Sequence, residues 1–386
     1  MRPAVDPELV LDLAARMVRW DTQNPPGNEL PLARCLADRM RGLGIGAEVL
    51  PVTETRGNLL GCVPGSGARP ALVLCGHLDV VPPGAAPWAR DPFGGEVADG
   101  RLFGRGSCDM KGGVAAIIAA GAALAGCGRR LAGDLVIALT AGEEGEALGA
   151  RHLAALGSLR GAGGLVLAEP TNLEVLAAEK GALWLEVTAR GKAAHGSTPH
   201  LGVNAVAAVA DLVHEVLRWS LPHAPHPLLS GPTLNVATIQ GGVKASMVPD
   251  RCAVTLDIRT LPGQDHAGLL ARVRAACDAS AARTPGLAWD CAVANDQPPV
   301  ETRLDDPLVL AAQEAAAAVR GVRAPVRGAA YYTDGATLAP AFGLPMVICG
   351  PGDPALAHQT DEWVPVDQLV GAAELYVRLA GALLAP

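Results

Sequence analysis

Aromatic residues are scarce: three Phe, three Tyr and six Trp, or 3% of 386 residues. Half the chain is nevertheless apolar and its mean hydropathy is +0.26, so a large core must be built from Ala, Leu and Val. Lysine is also rare, at Lys111, Lys180, Lys192 and Lys244 only. The net charge is -8 and the pI about 5.6, which excludes the basic surface that nucleic-acid phosphates favour and suits an enzyme of small molecules. No CxxC pair occurs. The nine cysteines (Cys35, Cys62, Cys75, Cys108, Cys127, Cys252, Cys277, Cys291 and Cys349) are scattered and odd in number, against a disulfide framework or a zinc–thiolate site. Buried thiols in a reducing cytoplasm are the expectation. No uninterrupted apolar run reaches the roughly 20 residues of a membrane span, so no membrane partner is expected. The first 20 residues carry Asp6, Glu8 and Asp12 where a secretory signal has a basic start and an apolar run. Their apolar positions Leu9, Leu11, Leu13, Ala14 and Met17 predict an amphipathic helix instead. No GxGxxG follows the first predicted strand and no GxSxG elbow is present, which disfavours dinucleotide and serine-hydrolase chemistry.

The length calls for two domains. Between about 70 and 170, continuous apolar runs (71–76, 135–141, 164–168) alternate with Gly/Ala-rich helical stretches, of which 112–126 is the clearest. Another such strand lies at 344–350, followed by a closing helix. This is the pattern of an α/β domain with a mostly parallel sheet covered by helices. The middle differs: a strand at 182–191, a helix at 202–219, strands at 233–242 and 251–262, a helix at 266–282 and a strand at 287–294. The order β-α-β-β-α-β is that of a split, ferredoxin-like α+β unit. The expected organisation is a catalytic domain over 1–179 and 294–386, interrupted by a smaller domain at 180–293. The segment 297–307 reads as the re-entry linker.

Ligands of open parallel sheets bind beyond the carboxyl ends of the strands. There stand His77 and Asp79 after the first strand, Glu143 and Glu144 after the second, Glu169 after the third and His358 a few residues after the fourth. Asp109 lies between the first strand and its helix. Singly, each has an ordinary explanation: a satisfied polar residue, a charge at a helix start, an N-cap. Their convergence on several strand ends is the informative feature. Two imidazoles and several carboxylates form a nitrogen/oxygen set suited to zinc or cobalt, and five ligands with one bridging carboxylate can hold two ions about 3.5–4 Å apart. Of the adjacent Glu143 and Glu144, one can bind metal while the other faces the water as base. Asp79 can accept the distal N–H of His77.

The segments CGHLDVVPPG, GRGSCDMKGG, TAGEEGE, LAEPT, ARGKAAHGSTPHLGVNA and AHQTDEWV resemble the acetylornithine deacetylase / succinyl-diaminopimelate desuccinylase family, co-catalytic zinc amidohydrolases related to glutamate carboxypeptidases and aminoacylases. The resemblance spans nearly the whole chain. It implies two zinc ions per subunit, with cobalt as a substitute. His77 and Glu169 would complete one site, Glu144 and His358 the other, and Asp109 would bridge them. Asp79 would orient His77, and Glu143 would be the general base. The smaller domain would be a lid and the surface of a homodimer. From it His195 would stabilise the oxyanion across the subunit boundary, Arg259 would clamp a substrate carboxylate and Asn235 would touch substrate. Glu169, where aminopeptidase relatives tend to carry Asp, points to the acylase and carboxypeptidase side. The implied reaction is hydrolysis of the amide of an N-acyl amino acid, acetyl or succinyl. The alternative is a carboxypeptidase or dipeptidase using the same metals. Two departures stand out: Ser246 where the family commonly has Asn, and Gly142 where Asp often precedes the paired glutamates. Thr333 and Asp334 are read as supporting residues behind the ligands.

Overall fold

A computed structural model describes residues 3–128 and 130–385. The chain divides into two compact units. The larger holds the described residues up to Ala178, Glu301–Gly328 and those from Thr333 on; the smaller holds Glu179–Val300 and Ala329–Tyr332.

The larger unit is built on a sheet whose neighbouring strands run in the order Gly46–Pro51, Gly57–Val63, Leu135–Thr140, Ala71–His77, Ala162–Pro170, Met346–Gly350 and Leu176–Glu179. The four from Leu135–Thr140 to Met346–Gly350 are mutually parallel. Leu72–Cys75, Leu165–Ala168 and Met346–Cys349 are at most 2% exposed, so these strands are covered on both faces, as their unbroken apolar sequences require. The flanking strands are antiparallel. Those at 46–63 were not anticipated, because short glycine-containing runs there lack a strong alternation.

The helix Gly112–Gly126 is buried over most of its circumference and packs against Pro7–Val18 and Val366–Leu383. The stretch Ser107–Gly126 is long and apolar enough to cross a membrane, but 78% of its apolar window is buried within the fold, which marks a core helix. The opening helix Pro7–Val18 starts where Asp6 accepts the amides of Glu8 (3.0 Å) and Leu9 (3.4 Å), with Pro7 in its first turn.

The smaller unit is a four-stranded antiparallel sheet in the order Thr233–Gly241, Arg251–Thr260, Gly181–Arg190 and Ala288–Gln297, with the helices Ala205–Val216 and His266–Arg283. Numbered within the unit, the strand order is 2-3-1-4, the ferredoxin-like arrangement. Alternate residues Leu183, Leu185, Val187 and Ala189 on one strand, and Cys252, Val254, Leu256 and Ile258 on its neighbour, form a core with the two helices. Asn204 and Asp265 cap those helices by accepting backbone amides of their first turns.

The last strand outruns the sequence reading, which ended it near 293. A register shift between Val293 and Asn295 breaks the alternation, and pairing then resumes as far as Gln297 opposite Ala182. The stretch read as linker is therefore strand at its beginning, and its end is the Asp306 cap of the helix Pro307–Arg320.

Gly113 sits where its helix touches the strand that carries Glu169. A Cβ there would lie 2.3 Å from the Ala168 carbonyl oxygen, whereas one at Gly126 in the same helix meets nothing within 4 Å. Gly113→Ala is therefore expected to destabilise by about 1–3 kcal/mol through overpacking. Gly126→Ala is expected to be neutral or to stabilise by up to about 1 kcal/mol. Urea-denaturation midpoints of the two variants check the contrast, and equal shifts would contradict it.

Candidate metal centre

Four adjacent parallel strands deliver most of the site from their carboxyl ends. His77 is the last residue of Ala71–His77 and lies beside Thr140, the last residue of Leu135–Thr140. Glu143 and Glu144 follow in the next turn. Glu169 is the penultimate residue of Ala162–Pro170, and His358 follows the short helical turn Pro354–Leu356 beyond Met346–Gly350. Asp109 stands in the irregular segment Ser107–Lys111, where its own φ of -121° and ψ of 95° are extended rather than helical.

These side chains converge. His77 Nε2 lies 3.1 Å from Asp109 Oδ1 and 3.8 Å from Glu169 Oε1. His358 Nε2 lies 3.0 Å from Glu144 Oε2 and 3.4 Å from Asp109 Oδ2. One donor atom from each of His77, Asp109 and Glu169 falls within 4.8 Å of the others, and the same holds for Asp109, Glu144 and His358. Asp109 thus belongs to both clusters and turns a different oxygen toward each imidazole. The tautomer of His77 follows from its other nitrogen: Nδ1 is 2.9 Å from the Asp79 carbonyl oxygen, which can only accept. Nδ1 of the neutral ring therefore carries the hydrogen and the Nε2 lone pair faces the carboxylates, the state a metal ligand needs.

The electrostatics describe a crowd of acids in need of positive charge. Burial pushes the Glu169 and Glu143 carboxyls well above their ordinary range; neighbouring carboxylates add to this, and His77 opposes it. Burial and Asp109 likewise raise Glu144. Asp109 is the exception: burial would raise it, but hydrogen bonds from His358 and His77 hold it well below the usual range. Hydrogen bonds to Asp109 and Glu144 push His358 up to about 10. Burial opposes charge on His77, yet Glu169, Asp109 and Glu143 together raise it well above its ordinary value. Positive charge on the imidazoles or from two bound dications would balance the acids. The donor set of two imidazoles and three carboxylates fits such a pair, and the three negative charges offset most of theirs. Cys108 takes no part: its buried thiol donates to the Asp353 carbonyl at 3.3 Å.

Asp79 does not do what its spacing suggested. Its contact with His77 is made by the backbone carbonyl, and its carboxylate stays 3.7 Å from Nδ1. That carboxylate instead accepts the backbone amides of Gly142 (2.9 Å), Glu143 (3.1 Å) and Glu144 (3.2 Å), and the Asn24 side-chain amide (2.9 Å). It fixes the turn carrying the paired glutamates. That turn also explains Gly142. Its φ is +78°, and a Cβ would lie 2.6 Å from Nη2 of Arg56, a side chain held in a two-pronged ion pair with the fully buried Glu29.

A second buried carboxylate acts in the same way on Asp109. Glu362 accepts the amides of Cys108 (2.8 Å) and Asp109 (3.0 Å) and pairs with the buried guanidinium of Arg105. Both residues lie within segments that carry the family resemblance, GRGSCDMKGG and AHQTDEWV. Neither follows one of the four parallel strands, and the sequence reading passed over them. Asp334 hydrogen-bonds Thr140 behind His77, and burial raises its carboxyl to about 6, against the hydrogen bond from Thr140. The Thr333 hydroxyl accepts the Gly335 amide at 3.0 Å.

The remaining candidates belong to the smaller unit. His195 is exposed, and its Nδ1 accepts the Ser197 amide at 3.2 Å, which leaves Nε2–H of the neutral ring free to donate outward. Ser246 supports this loop through its backbone, its carbonyl accepting the Gly196 amide at 2.8 Å. Arg259 is partly exposed, lies 5.7 Å from the Tyr332 ring centroid and donates from Nε and Nη2 to Asp257. Asn235 is exposed on the strand facing Arg251–Thr260, opposite Asp257.

Arg105→Leu is expected to cost about 3–5 kcal/mol, because Glu362 would keep a buried charge without its partner. The double variant Arg105→Leu/Glu362→Leu is expected to recover part of that loss. A double-mutant cycle by urea denaturation checks this, and strictly additive losses would contradict it.

The pattern of Peptidase family M20/M25/M40 matches residues 73–382. The chain is 34% identical to an acetylornithine deacetylase of Proteus mirabilis, with 93% of this chain and 91% of that protein covered. It is 30% identical to a probable succinyl-diaminopimelate desuccinylase of Staphylococcus epidermidis, with 94% and 95% covered. Among solved structures, an M20 family metallo-carboxypeptidase of Sulfolobus solfataricus aligns with a TM-score of 0.81 over 97% of this chain and 98% of that one; at 18% identity the likeness concerns the fold. Two histidine–carboxylate clusters at the strand ends and a family match over most of the chain lead to one conclusion: this protein belongs to Peptidase family M20/M25/M40 and is a metal-dependent amidohydrolase.

Proposed function

We propose that the protein removes the acyl group of an N-acyl amino acid, of acetyl or succinyl type, with two zinc ions per subunit and Glu143 as general base. The observation that carries this is the sharing of Asp109 between two three-donor clusters, with Glu143 buried beside them. The relatives named as a deacetylase and a desuccinylase support the acyl substrate. The nitrogen/oxygen donor set supports zinc, with cobalt as a substitute.

His77, Asp109 and Glu169 would hold one ion and Asp109, Glu144 and His358 the other. When bound, the pair lowers the pKa of water at the site and polarises a carbonyl. The chain's own groups handle protons and position. Glu143, in the turn tied to the Asp79 carboxylate, takes the proton of the attacking water and returns it to the leaving amine. Its buried setting raises its basicity toward the range that this double role requires. In this reading the outward Nε2–H of His195 donates to the developing oxyanion, as the family resemblance implies for a homodimer assembled through the smaller domain. Arg259 takes the α-carboxylate of the amino acid, with Asn235 beside it. Asp257 accepts from Nε and Nη2 of Arg259 and so holds the guanidinium plane. The free state of all nine cysteines accords with a reducing, cytoplasmic setting.

Glu143→Ala is expected to keep both metals and to lose about 10²–10⁴-fold in turnover, the usual share of general acid–base catalysis. Metal analysis and hydrolysis assays on N-acetyl and N-succinyl amino acids and dipeptides check this; near-normal turnover would remove Glu143 from the role. A panel in which dipeptides outrun every acyl amino acid would overturn the substrate class. Arg259→Ala is expected to slow substrates with a free α-carboxylate more than their carboxylate-blocked analogues, and an equal loss would refute the clamp.

A further inference from the structure

In the smaller unit, away from the proposed metal ligands, two thiols meet. Cys277 lies on the helix His266–Arg283, and Cys291 on Ala288–Gln297, the strand at the edge of the sheet. Their sulfurs are 3.7 Å apart, at hydrogen-bonding distance, and both are free. The two thiols differ in setting. Cys277 is 1% exposed and belongs to the core, whereas Cys291 is partly exposed.

Their chemistry differs accordingly. The hydrogen bond from Cys277 draws the Cys291 thiol below its ordinary range; burial opposes this and the charge of Arg274 assists it. The same hydrogen bond, together with burial, drives the Cys277 thiol upward. One member of the pair is thus a partly exposed sulfur with thiolate character, and the other a shielded sulfur in contact with it. This is the division of labour between an attacking and a resolving cysteine.

We propose that Cys277 and Cys291 are an oxidative modification site, a dithiol that a small peroxide converts to an intramolecular disulfide. The Cys291 thiolate attacks one peroxide oxygen; the O–O bond breaks, a sulfenic acid forms and the first water leaves. The Cys277 sulfur then attacks the Cys291 sulfur; the S–O bond breaks and the second water leaves with the Cys277 proton. Two thiols have lost two electrons and two protons, and the peroxide has been reduced to two waters. The product ties the helix to the edge strand across a 14-residue separation, and a thiol reductant restores the starting state.

The test uses the purified full-length, metal-loaded protein, exposed briefly to a small excess of hydrogen peroxide, quenched with catalase, denatured and alkylated. Before exposure all nine thiols are expected to be labelled, and afterwards two fewer. Trypsin is expected to release peptides 275–283 and 284–303 as a linked pair that a phosphine reductant separates. Exposed in the same way, Cys291→Ser is expected to keep its eight remaining thiols, and Cys277→Ser to lose one, Cys291, as a sulfenic acid with no linked peptide pair. Full labelling of the oxidised wild-type protein would overturn the proposal. So would a Cys291 sulfinic acid beside a free Cys277, a link between other cysteines, or a loss of two thiols in either variant.

Discussion

The centre depends on mutual repulsion among acids that the fold forces together. Asp109, Glu143, Glu144 and Glu169 are gathered at one buried sheet end, and burial together with the neighbouring carboxylates leaves three of the four carboxyls raised. Such a cluster is unfavourable unless cations or protons neutralise it. Protons on His77 and His358 are one way to meet that need, since the neighbouring carboxylates raise both imidazoles. Metal binding meets it differently, because it requires neutral imidazoles and ionised carboxyls. Asp109 is the pivot: both histidines hydrogen-bond to it, one on each oxygen, and this holds its carboxyl well below the usual range.

Geometry in this site is imposed largely through the backbone. Asp79 and Glu362 are carboxylates buried behind the two candidate clusters, and each grips successive amides rather than a side chain of those clusters. An amide fixed in this way sets where the next side chain begins, so a few such bonds orient Glu143, Glu144 and Asp109 without crowding the space in front of them. Buried carboxylates in this role must themselves be satisfied. Asp79 takes four donors, and Glu362 takes two amides and a guanidinium. Arg56 serves the same turn by bulk, filling the volume that Gly142 vacates.

This division explains what was legible in the sequence. The parallel strands could be read because burial on both faces demands unbroken apolar runs, and the ferredoxin-like insert because its one-sided sheet demands alternation. His77, Glu143, Glu144, Glu169 and His358 could be picked out as candidates because they recur just beyond several apolar strands, where any one of them alone would have an ordinary explanation. Glu362 and Arg105 could not. Glu362 holds amides 253 and 254 residues away and Arg105 pairs with it across 257, and such contacts leave no spacing or periodicity behind. Asp79 was legible as important but not in its role, because the HxD spacing is compatible with contact through either the carboxylate or the carbonyl. The last strand of the insert ended too early in the reading because a bulge erases the alternation that identifies a strand.

The shortage of aromatics bears on the same point. A core of Ala, Val, Leu and Gly lets backbones approach closely, and the approaches cluster near the ligands. Gly113 admits the Ala168 carbonyl one residue before Glu169, and Gly350 admits the same carbonyl at the end of the strand leading to His358. Gly112 meets the Ser107 carbonyl, two residues before Asp109. Larger side chains at these positions would separate the elements, and the ligand atoms that now lie within 4.8 Å of one another would part by a comparable amount. A metal pair tolerates little such displacement, because bond lengths to nitrogen and oxygen are fixed near 2 Å. The small-residue composition and the compact cluster of charges are thus two aspects of one requirement: the strand ends must lie close enough for side chains of ordinary length to bring their donor atoms together.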